Sequence, residues 1–236
     1  MTTPFTPEQP DLHGRTVLIT GAGAGLGAAT ARAAGAAGAE VILLGRSVRK
    51  LETVYDAILD AGGPDPGIVP MDLEGASPDD YLDIADRIEA QCGRLHALVH
   101  NAAITGPITP IEHYSPLEWM RVMQVNLHAP MLLTQACLPL LRHEHGPRLL
   151  FIGDQRVQPN WGAYGVSKAG VEALASILEQ ELAGRLPIAV EVVHPGAMRT
   201  DLRAQAFPGE LPSEVPAVLP AAERVVQRLA GPLPAG

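Results

Sequence analysis

Thr20-Gly21-Ala22-Gly23-Ala24-Gly25-Leu26-Gly27 governs how the rest of the chain is read. It ends an aliphatic run that begins at Thr16 and opens a helical pattern over 26–37. Dinucleotide-binding turns usually read G-x-G-x-x-G, whereas Gly21, Gly25 and Gly27 give G-x-x-x-G-x-G. The physical reason for glycine is the same. Glycines allow a tight turn, let the backbone approach a pyrophosphate, and start a helix whose N–H groups and dipole favour anions. A plain small-residue turn in an Ala/Gly-rich chain is the alternative, and the position directly after a strand argues against it.

The same alternation continues. Short apolar runs at 16–20, 40–44, 68–71, 97–100, 148–152 and 189–193 read as strands. Helical patterns lie between them at 26–37, 47–61, 78–91, 116–143 and 163–184. Nearly continuous apolar strands alternating with helices predict an α/β fold, a doubly wound parallel sheet with helices on both faces. The expected strand order is 3-2-1-4-5-6.

Composition sets the outer limits. The chain has 236 residues, 47% apolar and 18% charged, with a formal net charge of −9. That length suits one dinucleotide-binding domain over 1–236, with a polar tail at 1–13. The negative charge argues against nucleic acid and anionic membranes as partners. No signal peptide or membrane-spanning run is recognisable, so the expected location is the cytoplasm. Cys92 and Cys137 form no metal or redox motif. His143-Glu144-His145, ahead of Gly146-Pro147, reads as cations at a helix C-terminus, and no metal site is expected.

The second strand ends Leu44-Gly45-Arg46, where an acid would grip the ribose hydroxyl of NAD. Without an acid, and with a guanidinium available for a 2′-phosphate, the preference is for NADP(H) over NAD(H). The alternative is that Arg46 merely covers the adenine and both cofactors bind. Asp72 follows the third strand, placed to accept from the adenine amino group. Ser77-Pro78-Asp79-Asp80 reads as a helix start, not as a catalytic acid pair. Small residues after His100, in Asn101-Ala102-Ala103, let a cofactor lie against backbone.

Tyr164 and Lys168 stand four apart on a predicted helix and share a face. A nearby cation favours a phenolate, and a tyrosine so tuned trades protons with an alcohol or carbonyl. With these motifs in order, the chain resembles a single-domain short-chain dehydrogenase/reductase over 14–228. Gly21, Gly25, Leu26 and Gly27 match its cofactor glycines, and His100-Asn101-Ala102-Ala103 its N-N-A-G run with two changes. Asn126, Tyr164 and Lys168 match its catalytic residues. Pro195, Gly196 and Thr200 match the segment that closes over the nicotinamide. The resemblance implies that Tyr164 transfers the proton while Lys168 lowers its pKa and holds the nicotinamide ribose. It also implies that Asn126 holds a water linking Lys168 to solvent, and that a carbonyl or alcohol is the substrate. Separately, Pro130 has no N–H, so in a plain α-helix the Asn126 carbonyl is left free, unless the proline simply makes a kink.

Two departures stand out. The family's serine after the fifth strand is missing: Gly153-Asp154-Gln155 occupies that place, and the loop to Tyr164 is about three residues short. Asp154 is an acceptor where a donor is expected, although Gln155 can donate in part. The second departure is a proline-punctuated segment at 198–220, read as a substrate lid, with a short helix at 221–229 and no seventh strand. Two function readings follow. One is an NADP(H)-dependent oxidoreductase slowed by the missing serine. The other is a nucleotide-binding homologue that has lost turnover. The long apolar stripes at 116–143 and 163–184 predict a twofold dimer.

Overall fold

The structure is a computed structural model that describes residues 10–142, 146–186 and 188–231. Most of the polar tail, the His143-Glu144-His145 run and residues 232–236 lie outside the described residues. Six strands, β1 (Thr16–Thr20), β2 (Glu40–Gly45), β3 (Gly67–Pro70), β4 (Ala97–His100), β5 (Arg148–Ile152) and β6 (Ala189–Val193), pair in parallel. Their order is β3-β2-β1-β4-β5-β6, as expected.

Burial explains the parallel arrangement. Every residue of β1, β4 and β5 is buried, so both faces of the central sheet need cover. Alternate residues serve opposite faces. Val17, Ile19 and Leu43 pack under α1 (Gly25–Ala36), α2 (Val48–Asp60) and α8 (Leu219–Ala230). Leu18, Ile42 and Leu98 pack under α3 (Pro78–Cys92), α5 (Ala129–Leu141) and α6 (Gly162–Leu182). The start of α3 is as read: Asp80 Oδ2 accepts from the Ser77 N–H at 2.8 Å, and Gly93 ends the helix in the left-handed region.

The single helix expected over 116–143 is corrected. It is α4 (Pro116–Met123), a wider turn over Gln124–His128, and α5. In that turn the Ala129 N–H bonds to the Gln124 carbonyl, five residues back, a π turn. Pro130 therefore falls in the first turn of α5, where a missing N–H costs little, and the interior proline of α5 is Pro139. A short helix, α7 (Asp201–Ala206), went unread within 198–220. The expected helix at 221–229 is α8, whose Ala221, Ala222, Val225 and Leu229 are buried with Ala28 and Ala29 of α1. Among the described residues no strand follows β6, and no helix is long and apolar enough to cross a membrane.

Candidate active site

The strand order reverses between β1 and β4, and this opens a crevice at the carboxyl ends of the strands. The cavity there has a volume of about 730 Å³. Of the residues singled out in the sequence, Gly21, Gly25, Leu26, Arg46, Asp72, Asn101, Ala102, Asp154, Tyr164, Lys168, Pro195, Gly196 and Thr200 line it. Gly27 and Asn126 do not.

Gly27 is needed behind the wall. A Cβ there would stand 2.3 Å from the Gly21 carbonyl oxygen and 2.5 Å from Asn101 Nδ2. Gly21 adopts φ +67, a left-handed conformation, and a Cβ there would stand 2.9 Å from Asn101 Nδ2 and 3.0 Å from the Ala102 Cα. Asn101 uses its amide on this loop, donating from Nδ2 to the Thr20 carbonyl at 2.8 Å. The Thr20 hydroxyl accepts from the N–H groups of Asn101 and Ala102, both at 3.0 Å. Ala24, at the N-cap of α1, supplies no side-chain cap and no acid follows in the first turn. The helix start thus keeps its positive end toward the cavity.

Beside the glycine loop Arg46 is exposed on the rim, and Ser47 caps α2 by accepting from the Lys50 N–H. Lys50 also lines the cavity. It escaped the sequence reading, although a second cation one turn after Arg46 was there to be found. Asp72 is exposed, with Oδ1 accepting from the Glu74 N–H at 3.1 Å. His100 is buried, stacked on Phe151 at 4.8 Å and 2.8 Å from the Thr134 hydroxyl, and burial pushes its pKa down to about 3.

Tyr164 and Lys168 are both buried on α6. The expected pairing, in which the lysine draws down the tyrosine, needs correction. Lys168 Nζ donates to the Ile152 carbonyl at 2.7 Å and lies 5.8 Å from the Tyr164 ring centroid. Tyr164 Oη instead donates to Asp154 Oδ2 at 3.0 Å. Burial, the Asp154 charge and this hydrogen bond push the tyrosine above its ordinary range, with Arg156 opposing. Burial pushes Lys168 down to about 8, against the pull of Asp154 and Glu172.

Asn126 is held by its side chain on two sides. Its Oδ1 accepts from the Ile104 N–H and its Nδ2 donates to the Ile104 carbonyl, each at 2.9 Å, and Nδ2 reaches Ser167 Oγ at 3.0 Å. The side chain is a buried brace between the segment after β4 and α6. Pro195 and Gly196 follow β6, and Thr200 caps α7 by accepting from the Arg203 N–H at 3.2 Å. The Thr200 methyl lies over Gly25, where a Cβ would meet it at 3.2 Å. Trp161, Phe207 and Arg156 complete the wall near Tyr164, with ring centroids of Trp161 and Phe207 5.7 Å apart. Arg156 and Trp161 share the loop between β5 and α6, and Phe207 reaches them from the end of α7.

Glycine loop, cations and buried tyrosine around one crevice define a doubly wound α/β protein with a nucleotide-sized site. The chain matches the short chain dehydrogenase family over residues 15–211. It is 37% identical over 209 residues to the uncharacterized oxidoreductase YciK of Escherichia coli K12, covering 87% of this chain and 82% of that protein. A solved structure from Pseudomonas syringae, assigned as a short chain dehydrogenase, is 40% identical with a TM-score of 0.92, covering 98% of this chain and 94% of that one. Another, from Shigella flexneri and complexed with NADP, is 33% identical with a TM-score of 0.91, covering 95% and 94%. The chain belongs to the short chain dehydrogenase family of oxidoreductases.

Proposed function

We propose that the protein is an NADP(H)-dependent oxidoreductase that interconverts a carbonyl and an alcohol by hydride transfer, at a rate held down by Asp154. One observation carries the reading: the glycine loop, Arg46 and the Tyr164–Lys168 pair share the walls of one cavity. The cofactor fits these residues. Gly21 and Gly27 leave no room for a Cβ, so backbone is presented, and the uncapped start of α1 favours a pyrophosphate. Arg46 and Lys50 would hold the 2′-phosphate. The Shigella flexneri relative complexed with NADP supports this choice, as does an Escherichia coli relative complexed with NADPH. When bound, the cofactor supplies or accepts the hydride.

The chain's own residues handle the proton. Tyr164 Oη gives it to the carbonyl oxygen in reduction and takes it back in oxidation. Lys168, held by the Ile152 carbonyl, supplies positive charge beneath that oxygen. Asn126 keeps α6 and the segment at Ile104 in register. Asp154 works against turnover. It accepts the same tyrosine proton that the substrate needs, and it replaces a donor whose loss costs ~10²–10³ in rate. That contact also favours a second reading, a nucleotide-binding homologue without turnover.

Residues 1–236 act as one domain, with 198–220 covering the substrate. Exposed Leu117 and Met120 on α4, Met131 on α5, and Val166 and Ile177 on α6 form the face of a twofold dimer. Sedimentation as a monomer at micromolar concentration would refute the dimer. The test of function is NADPH oxidation with a panel of ketones and quinones, alongside titration of NADPH and NADH. Turnover establishes the enzyme, tight NADPH binding without turnover favours the second reading, and no nucleotide binding overturns both.

A further inference from the structure

Of the two guanidinium groups at the substrate end of the cavity, one keeps unspent donors among the described residues. Arg156 carries five N–H groups in a planar fork. Its Nε lies 3.3 Å from Asp154 Oδ1. Its guanidinium carbon lies 5.3 Å from the Trp161 ring centroid and 5.6 Å from that of Phe207. The terminal nitrogens have no hydrogen-bond partner among the described residues. Arg203, the neighbouring cation, is different: its Nε and one terminal nitrogen both donate to Glu210 at 2.7 Å. Arg203 is therefore spent, and Arg156 is not. Donors held against two rings in the cavity wall are placed for a ligand that can accept from them.

Resting on the carbonyl–alcohol reading above, we infer that Arg156 recognises a carboxylate on the substrate, so that the protein acts on oxo-acids or hydroxy-acids. A planar two-oxygen group matches the free edge of the guanidinium, and a planar anion suits a place beside two aromatic rings. Asp154 meets the Nε of the fork, so the guanidinium charge stands between it and a carboxylate on the terminal edge. Lys168, on the same cavity wall, offsets its charge further, while Arg203 and Glu210 neutralise one another.

The test uses the full chain with NADPH and a series of oxo-carboxylates, each paired with its methyl ester. The parent should favour acid over ester by at least about tenfold in kcat/KM, the scale of a hydrogen bond to a charged group. Arg156→Gln should cut that ratio by about 10- to 100-fold, through KM for the acids, and Arg156→Lys should keep part of it. Removing Arg156 also bares the Asp154 charge, which repels the acid and not the ester, so the ratio is compared as well between Asp154→Asn and Asp154→Asn/Arg156→Gln, where that charge is absent and the loss should persist. Calorimetric titration of the oxo-acid and its ester into NADP⁺-saturated protein reads the same preference without turnover. A preference seen there and lost in Arg156→Gln sustains the carboxylate site even if neither compound is reduced, and the hydride-transfer reading then fails alone. Equal use or binding of acid and ester by the parent, or a preference that survives in Arg156→Gln, overturns the assignment.

Discussion

The two ends of the cavity are built by different means. At the β1–α1 end the wall is backbone: Gly21, Gly25 and an uncapped helix start, braced from behind by Asn101 and Gly27. At the β5–α6 end the wall is side chain: Asp154, Arg156, Trp161, Tyr164, Lys168 and Phe207, drawn from a loop, a helix and the 198–220 segment. A backbone wall tolerates exchange of the side chains around it but not of its glycines. A side-chain wall lets one substitution change the chemistry and leave the scaffold alone. Substitutions at the two ends should therefore differ in kind.

Tyr164→Phe tests the side-chain end most severely. It removes the proton donor and should lower turnover by ~10²–10⁴, with NADPH affinity little changed. A loss of nucleotide binding of similar size would erase the distinction between the two ends. Asp154→Ser follows. It restores a donor and deletes the charge that holds Tyr164 up, so reduction of generic ketones should accelerate, by up to ~10². The gain stays below a full rescue if the short loop misplaces residue 154. A fast parent slowed by Asp154→Ser would give Asp154 an active part.

Lys168 supplies a pH test. Burial lowers it from 10.5 to about 8, so between those values the unfolded chain holds a proton that the folded one has released. The stability it contributes thus rises with pH across that window, and below pH 8 its burial costs about 3 kcal/mol. Lys168→Met should be more stable than the parent at pH 7 by about 2 kcal/mol, after about 1 kcal/mol for the lost bond to Ile152. The gap should narrow by pH 10 in urea melts, and a gap independent of pH contradicts the burial argument. Arg46→Ala probes the backbone end and should have the mildest result. NADPH preference over NADH should fall by about tenfold while the nucleotide still binds. A parent that prefers NADH would remove the role given to Arg46.

The same division explains what was legible in the sequence. The strands were readable to within a residue because parallel strands covered by helices are short apolar runs between helical patterns, even at the less buried β3 and β6. Glycine positions were readable because steric exclusion leaves only one residue type. The π turn at Gln124–His128 was not, since one extra residue per turn barely alters an apolar period. Asp154 was found through a missing serine, and it lies 3.0 Å from Tyr164 Oη in the folded chain. The meeting of Arg156 and Trp161 with Phe207 was invisible, because Phe207 lies some 50 residues on and reaches them only once the chain closes over the sheet.

Asn101 has a kinetic consequence. Its bond to the Thr20 carbonyl spans 81 residues, so the glycine loop takes its final shape only after β4 has docked beside β1. A cradle that depends on so distant a contact is a late product of folding, delayed by the entropy of closing that loop. The β1–α1–β2 segment alone would carry every glycine of the motif and still lack the binding surface. Nucleotide affinity acquired during refolding would accordingly time the arrival of the fourth strand.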